Sequence, residues 1–298
     1  SFKGSNPFLS AIIEMEYIDS KYFSYADPDD PYLKRLIIRA IENISGQPEL
    51  YKLYNEYQRS SELYRNFWEG SVKKLNLNVN FSQEALKQIP KEGPLVVVAN
   101  HPFGVLDGLV ICWLMSLVRD DFKVLTHSLL LRAPETKGYL LPVDFALTKE
   151  ALKTNLETRK LSREFLSNGG SIVIFPSGCV STKMKMSEKI AFDCQWKVFT
   201  SRLIKQTDAT IVPIYFPGQN SDLFQLASRL GIMLRSALLF REVRRRMGTE
   251  VPVTIGKPLK LKDFEENISN QDLVKSLRTL TYSLDPDLPP DPPLGMEL

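Results

Sequence analysis

The sequence predicts an α/β fold, an open and mostly parallel sheet flanked by helices, with a helical region before it. Three observations carry that expectation. From residue 79 onward, short β-rich runs alternate with amphipathic helical stretches, as strands joined by helical crossovers do. LVVVAN (95–100), SIVIF (171–175) and TIVPIYF (210–216) are almost continuously apolar, as befits strands buried on both faces. Each run ends in polar or turn-forming residues: Asn100 and His101, then Pro176-Ser177-Gly178, then Pro217-Gly218-Gln219-Asn220. Ligands of open α/β sheets collect at such carboxyl ends.

Taken in order, residues 8–26 and 31–45 place apolar side chains at helical spacing, with the turn signal Asp27-Pro28-Asp29-Asp30-Pro31 between them. A third helix is predicted from Pro48 to about Leu75, its apolar positions including Leu50, Leu53, Tyr57, Phe67 and Trp68. The alternating region then runs through VNF, LVVVAN, DGLVICWLMSLV, KVLTH, LETRKLSREFLSN, SIVIFPSG, WKVFTSRLIKQ, TIVPIYF and VPVTIGKPL. The last fifteen residues hold five prolines and little to bury, so an extended or disordered end is expected. The division is a helical region over 1–78 as a candidate membrane or acyl-chain contact, an α/β domain over 79–284, and a Pro-rich tail over 285–298.

Composition narrows the function. A net charge of +3, from 38 Lys and Arg against 35 Asp and Glu, gives no general attraction for nucleic acid. The three cysteines, Cys112, Cys179 and Cys194, make no CxxC pair, which argues against a disulfide framework or a zinc site and for a reducing compartment. No apolar run reaches the ~18 to 20 residues of a membrane span. Glu14 and Glu16 interrupt the apolar N-terminal stretch, unlike a signal-peptide core. The chain reads as soluble or attached only to a membrane surface.

One of only two histidines, His101, follows the strand LVVVA, and Asp107 lies six positions on. A carboxylate that orients an imidazole leaves the second nitrogen free to take a proton from a hydroxyl or amine. Gly104 lets the intervening chain bend back. The plainer alternative is a histidine capping the next helix, with Asp107 solvated near that helix's positive end. No GxSxG elbow occurs, although Ser177 and Cys179 are strand-end nucleophile candidates. Residues 226–248 interleave apolar side chains with arginines that include Arg241, Arg244, Arg245 and Arg246, suited to anionic headgroups, to an acidic partner, or simply to water. His127 is expected to be structural, and Arg132 to hold an anionic or polar acceptor.

NHPFGVLDG, IVIFPSG and TIVPIYFPGQNS, in that order, resemble the lysophospholipid acyltransferase family across roughly residues 90–258. EGPLVVVANHPFG, LLPVDF, AFDCQW, FPGQNSDLFQ and LRSALLFRE are similar to its hemolysin-like branch, which includes O-acyltransferases completing ornithine and related amino-acid lipids. The resemblance implies His101 as general base and Asp107 as its orienting partner. It implies acyl transfer from a thioester of acyl carrier protein or coenzyme A to a lysolipid hydroxyl, with no metal and no cofactor. Asn100, Gly104, Arg132 and Asn220 are expected at the substrates, as are Phe175, Pro176, Ser177 and Gly178. The protein would be cytoplasmic and peripherally bound to the cytoplasmic membrane.

Two departures bear on the acceptor and the geometry. Five residues separate His101 from Asp107, where the family's common box has four. The common Phe-Pro-Glu-Gly-Thr-Arg box is here Phe175-Pro176-Ser177-Gly178-Cys179-Val180, without the glutamate and arginine that engage a glycerol phosphate. This favours another acceptor, such as lyso-ornithine lipid, over the alternative of 1-acylglycerol-3-phosphate. A non-catalytic lipid-binding protein and a thioesterase using Ser177 or Cys179 are the competing readings.

Overall fold

The computed structural model describes residues 31–127, 133–144 and 148–297. The helix expected over residues 8–26 lies outside them. The chain begins with helices α1 (Tyr32–Ser45), α2 (Gln47–Gln58) and α3 (Phe67–Lys74), then β1 (Asn78–Asn80), α4 (Gln83–Gln88), β2 (Leu95–Ala99) and α5 (Val105–Ser116). There follow β3 (Phe122–His127), β4 (Leu140–Val143), α6 (Lys149–Ser167), β5 (Ser171–Ile174), α7 (Phe199–Thr207) and β6 (Thr210–Tyr215). The last elements are α8 (Asp222–Leu230), α9 (Ile232–Arg246), β7 (Glu250–Pro252), β8 (Thr254–Ile255) and α10 (Asn270–Tyr282).

Six strands form one sheet in the order β4-β3-β5-β2-β6-β8, parallel throughout except for the short antiparallel edge β8. β1 pairs in parallel with β7 in a separate two-stranded ribbon. The three apolar runs are therefore neighbours, with β2 between β5 and β6. Successive strand residues point to opposite faces. Val97 and Ala99 accordingly join a core with Trp68, Val72, Leu106, Val110 and Ile111, while Val96 and Val98 join another with Leu166, Leu203, Leu273 and Leu277. All five side chains of β2 are fully buried.

The single helix expected from Pro48 to Leu75 is instead two helices joined by a turn. Gln58-Arg59-Ser60-Ser61-Glu62 has no apolar face to bury, and Asn66 restarts the helix by accepting a hydrogen bond from the Glu69 amide at 3.0 Å. Tyr57 folds over Gly70, where a Cβ would meet its ring at 2.4 Å, so the apolar positions meet across a hairpin. The tail is extended but held. Arg278 donates to the carbonyls of Pro292 and Pro293, the Gly295 amide donates to the Asp193 carbonyl at 2.9 Å, and Lys197 pairs with Glu297.

Candidate active site

Because β5, β2 and β6 are adjacent, their carboxyl ends bring the three sequence boxes to one place. Asn100 extends the sheet by one rung after β2 ends. Its amide nitrogen donates to the Phe216 carbonyl at 2.8 Å, and its amide oxygen accepts from the Phe216 N–H at 2.7 Å. Both ends of the side chain are engaged with backbone, so Asn100 fixes the strand ends rather than presenting a free group to substrate. His101 comes next, where the ladder stops.

His101 Nδ1 lies 2.9 Å from Asp107 Oδ2. The extra residue in the box does not separate the pair, because Gly104 turns the chain at φ +81° and starts α5. A Cβ there would also sit 2.9 Å from Leu239 and 3.1 Å from Val180. Asp107 then occupies the first turn of α5 and accepts from the N–H groups of Phe103 and Gly104 at 3.0 and 3.1 Å. The capping role and the histidine-orienting role thus belong to the same carboxylate, which has no exposed surface. The contact is close without being an aligned hydrogen bond. Such alignment commonly tightens only when substrate is bound. Nδ1 is buried, and the side chain keeps 19% of its surface exposed on its other edge, which carries Nε2.

Phe175, the first residue after β5, packs its ring 4.1 Å from the imidazole, centroid to centroid, at 30°. Asp193 holds the backbone beneath. Its Oδ1 accepts from the His101 N–H at 3.1 Å and the Ser181 hydroxyl at 2.6 Å, and its Oδ2 accepts from Trp196 Nε1 at 2.8 Å. Burial raises the Asp193 carboxyl above its ordinary range, against the opposing pull of these donors. The expectations from sequence gave Asp193 no role. Its signal was a lone carboxylate inside the aromatic segment AFDCQW.

The other expected residues divide. Pro176 is buried, with its carbonyl accepting from the Lys197 N–H, and Gly178 is exposed at a positive-φ turn. The Ser177 hydroxyl donates to the Cys179 carbonyl at 2.8 Å and the Cys179 thiol meets Cys194. Among the described residues neither side chain is hydrogen-bonded to His101, so the geometry gives no nucleophile-base pair. Asn220 is 2% exposed, and its side-chain amide finds no partner among the described residues. Arg132 lies outside the described residues.

The arginines of α9, expected at a membrane or carrier, are largely held by the protein itself. Arg241 pairs with Glu242 at 2.9 Å and reaches Ser221, Arg244 pairs with Glu49 at 2.7 Å, and Arg245 lies 3.8 Å from Glu242. Arg246 turns toward the dyad instead. Its guanidinium sits 4.0 Å over the Phe103 ring and donates to the Gln219 carbonyl at 3.2 Å. Gly218 leaves room for this: at φ +112°, its missing Cβ would lie 2.8 Å from Phe103. Among the described residues, no helix is long and apolar enough to cross a membrane.

An imidazole at the end of a central parallel strand, beside a buried carboxylate and open at its far nitrogen, is an arrangement that suits general-base chemistry on an α/β scaffold. The chain belongs to the acyltransferase family, whose model matches residues 58–290. The likeness to lysophospholipid acyltransferases read from the three boxes therefore holds at the level of the family. Similar curated proteins are the lyso-glycine lipid O-acyltransferases of Phocaeicola vulgatus and Bacteroides thetaiotaomicron. Each is 24% identical over 264 residues, covering 85% of this chain and 89% and 91% of the relative. The 1-acyl-sn-glycerophosphate acyltransferase PlsC of Thermotoga maritima aligns with a TM-score of 0.45 at 15% identity, over 93% of this chain and 91% of that one.

Proposed function

We propose that this acyltransferase moves a fatty acyl group from a thioester to the free hydroxyl of a lysolipid whose headgroup is an amino acid. The observation that carries the reading is the His101–Asp107 pair with Nε2 open. In the reaction, Nε2 takes the acceptor hydroxyl proton as the oxygen attacks the thioester carbonyl. The tetrahedral intermediate then expels the thiolate, which recovers that proton from the imidazolium, leaving an ester and a thiol. Asp107 fixes the ring and stabilises its transient positive charge.

Arg246 supports the amino-acid headgroup. It is a half-buried cation beside the dyad that feels the charges of Asp107 and Glu242 but forms no ion pair with a carboxylate among the described residues, and a guanidinium matches a carboxylate in a two-point contact. The names of the curated relatives point to glycine as the first headgroup to try, with ornithine beside it.

The thioester's carrier is proposed to be anionic. Between α6 and α7 lies a groove of about 680 Å³ that sets Arg159, Arg163 and Arg202, with Lys160 and Lys197, over Trp196 and Phe199. Lys160 and Lys197 have the carboxylates of Glu164 and Glu297 as neighbours. The three arginines have no carboxylate partner among the described residues. Phosphates of coenzyme A and carboxylates of acyl carrier protein share this chemistry. The purified protein should be incubated with acyl-coenzyme A or acyl-carrier-protein and with lyso-glycine lipid, lyso-ornithine lipid or lysophosphatidate, with products read by mass. An amino-acid lipid ester that disappears in a folded His101→Ala variant is the expected result. Preferential acylation of lysophosphatidate, or full turnover by His101→Ala, would remove the reading.

A further inference from the structure

The sequence offered three cysteines without a pairing motif, but the fold brings two of them together. Cys179 Sγ and Cys194 Sγ lie 2.9 Å apart, and both are free thiols. Their chain segments are already in register, since Thr182 and Phe192 form an antiparallel bridge with both backbone hydrogen bonds present. A disulfide has an S–S bond of about 2.05 Å, so the sulfurs need approach by less than an ångström.

We propose that Cys179 and Cys194 are an oxidation site, a dithiol that a peroxide converts to a disulfide on the underside of the acyl-transfer site. The surroundings suit that chemistry. Cys179 is partly exposed and follows the exposed Gly178, which gives a small oxidant a way in, while Cys194 is buried behind it. Arg235 is a buried guanidinium that donates to the Val180 carbonyl at 3.2 Å, and its charge attracts a thiolate at either sulfur. The hydrogen bond between the two sulfurs brings the Cys194 thiol below its ordinary range, with Lys197 acting in the same sense against burial and Asp193. That bond and burial push the Cys179 thiol up, so the thiolate of the pair rests on Cys194. Cys112, by comparison, is fully buried, and burial alone pushes its thiol well up.

The reaction balances with hydrogen peroxide as oxidant. One sulfur attacks a peroxide oxygen, the O–O bond breaks, and a sulfenic acid and one water result. The second sulfur attacks the sulfenic sulfur, the S–S bond forms, and the hydroxyl leaves with the thiol proton as a second water. The two sulfurs are oxidised and the peroxide oxygens are reduced. The bond would clamp the turn that follows Phe175 to the residue beside Asp193, joining two segments that support His101 from different sides.

The test is intact-protein mass spectrometry after brief treatment with dilute hydrogen peroxide, followed by denaturing alkylation and peptide mapping. The expected result is a loss of the mass of two hydrogens, one alkylatable cysteine (Cys112), a peptide cross-linked between residues 179 and 194, and full reversal by dithiothreitol. A cross-linked chain loses less conformational freedom on folding, so the oxidised form should also melt at higher temperature. In Cys179→Ser, which replaces the partly exposed partner, the mass loss should vanish while the melting temperature of the reduced protein is retained. Three alkylatable thiols after peroxide would overturn the proposal. So would oxygen adducts on single sulfurs with no cross-link, or a mass loss that persists in Cys179→Ser.

Discussion

Asp193 and His101 stand 92 residues apart in the chain and are joined by a hydrogen bond from the His101 backbone N–H to Asp193 Oδ1. His101 is therefore held at two levels, its ring by Asp107 and its backbone by a second buried carboxylate that also binds Ser181 and Trp196. Replacing Asp193 by alanine strands three donors. Each unsatisfied buried group costs about 1–3 kcal/mol, so a fall in stability of roughly 3 kcal/mol or more, read from urea unfolding, is expected together with a lower kcat.

Asp193 also gives the protein a pH signature. Burial raises its folded pKa above the ordinary 3.8. Between those two values the folded state holds more protons than the unfolded one. Asp193's contribution is then complete below about pH 4 and is lost as pH rises through the folded pKa. Wild type measured against Asp193→Asn should show a stability difference that moves against wild type as pH climbs from 4 toward neutrality. A difference independent of pH would contradict this.

At Asp107, two substitutions separate its two tasks. Asp107→Asn keeps an oxygen for the Phe103 and Gly104 amides but removes the charge that orients His101. It should therefore lower turnover by ~10²- to 10⁴-fold with little change in melting temperature. Asp107→Ala removes the cap as well, adding a loss of about 1 kcal/mol in stability. Equal melting temperatures for the two variants would deny the capping role.

Gly104→Ala should be damaging out of proportion to one methyl group. The residue sits at φ +81°, and the new Cβ would press on Leu239 and Val180. A loss of ~1 to 3 kcal/mol follows from the conformation and crowding together. The shift of the turn should also separate His101 from Asp107, visible as a lower kcat at temperatures where the variant is folded.

Arg246→Gln tests the headgroup reading. Losing one charged contact to a carboxylate acceptor should raise KM for that acceptor about tenfold, the usual effect of a charge-assisted hydrogen bond worth about 1.5 kcal/mol. KM for the thioester should stay near wild type. An unchanged acceptor KM would return Arg246 to a packing role over Phe103.

Much of this arrangement was legible in the sequence because strands buried on both faces leave long apolar runs, and β2, β5 and β6 do. The order of those runs, with a histidine after one and turn residues after the others, pointed to the carboxyl ends that the fold brings side by side. Less visible was what backbone groups do. The tail looked loose because prolines bury little side chain, yet the carbonyls of Pro292 and Pro293 are ligands for Arg278. β4 and α10 were not anticipated, LLPV being too short to separate from a loop. The role of Asp193 escaped because a hydrogen bond across 92 residues leaves no periodicity behind. The ion pairs of the basic stretch were not legible either, since a row of arginines looks alike whether it faces water, a lipid or Glu49 and Glu242.

Asn100 has a further consequence. Its amide reads a donor and an acceptor on Phe216 at once, a task that no carboxylate can perform. Spontaneous deamidation at this position would set a negative oxygen against the Phe216 carbonyl and part the loops after β2 and β6, leaving both strands paired below. Chemical ageing of the protein at this one position would then silence the enzyme while its circular dichroism stayed that of a young sample.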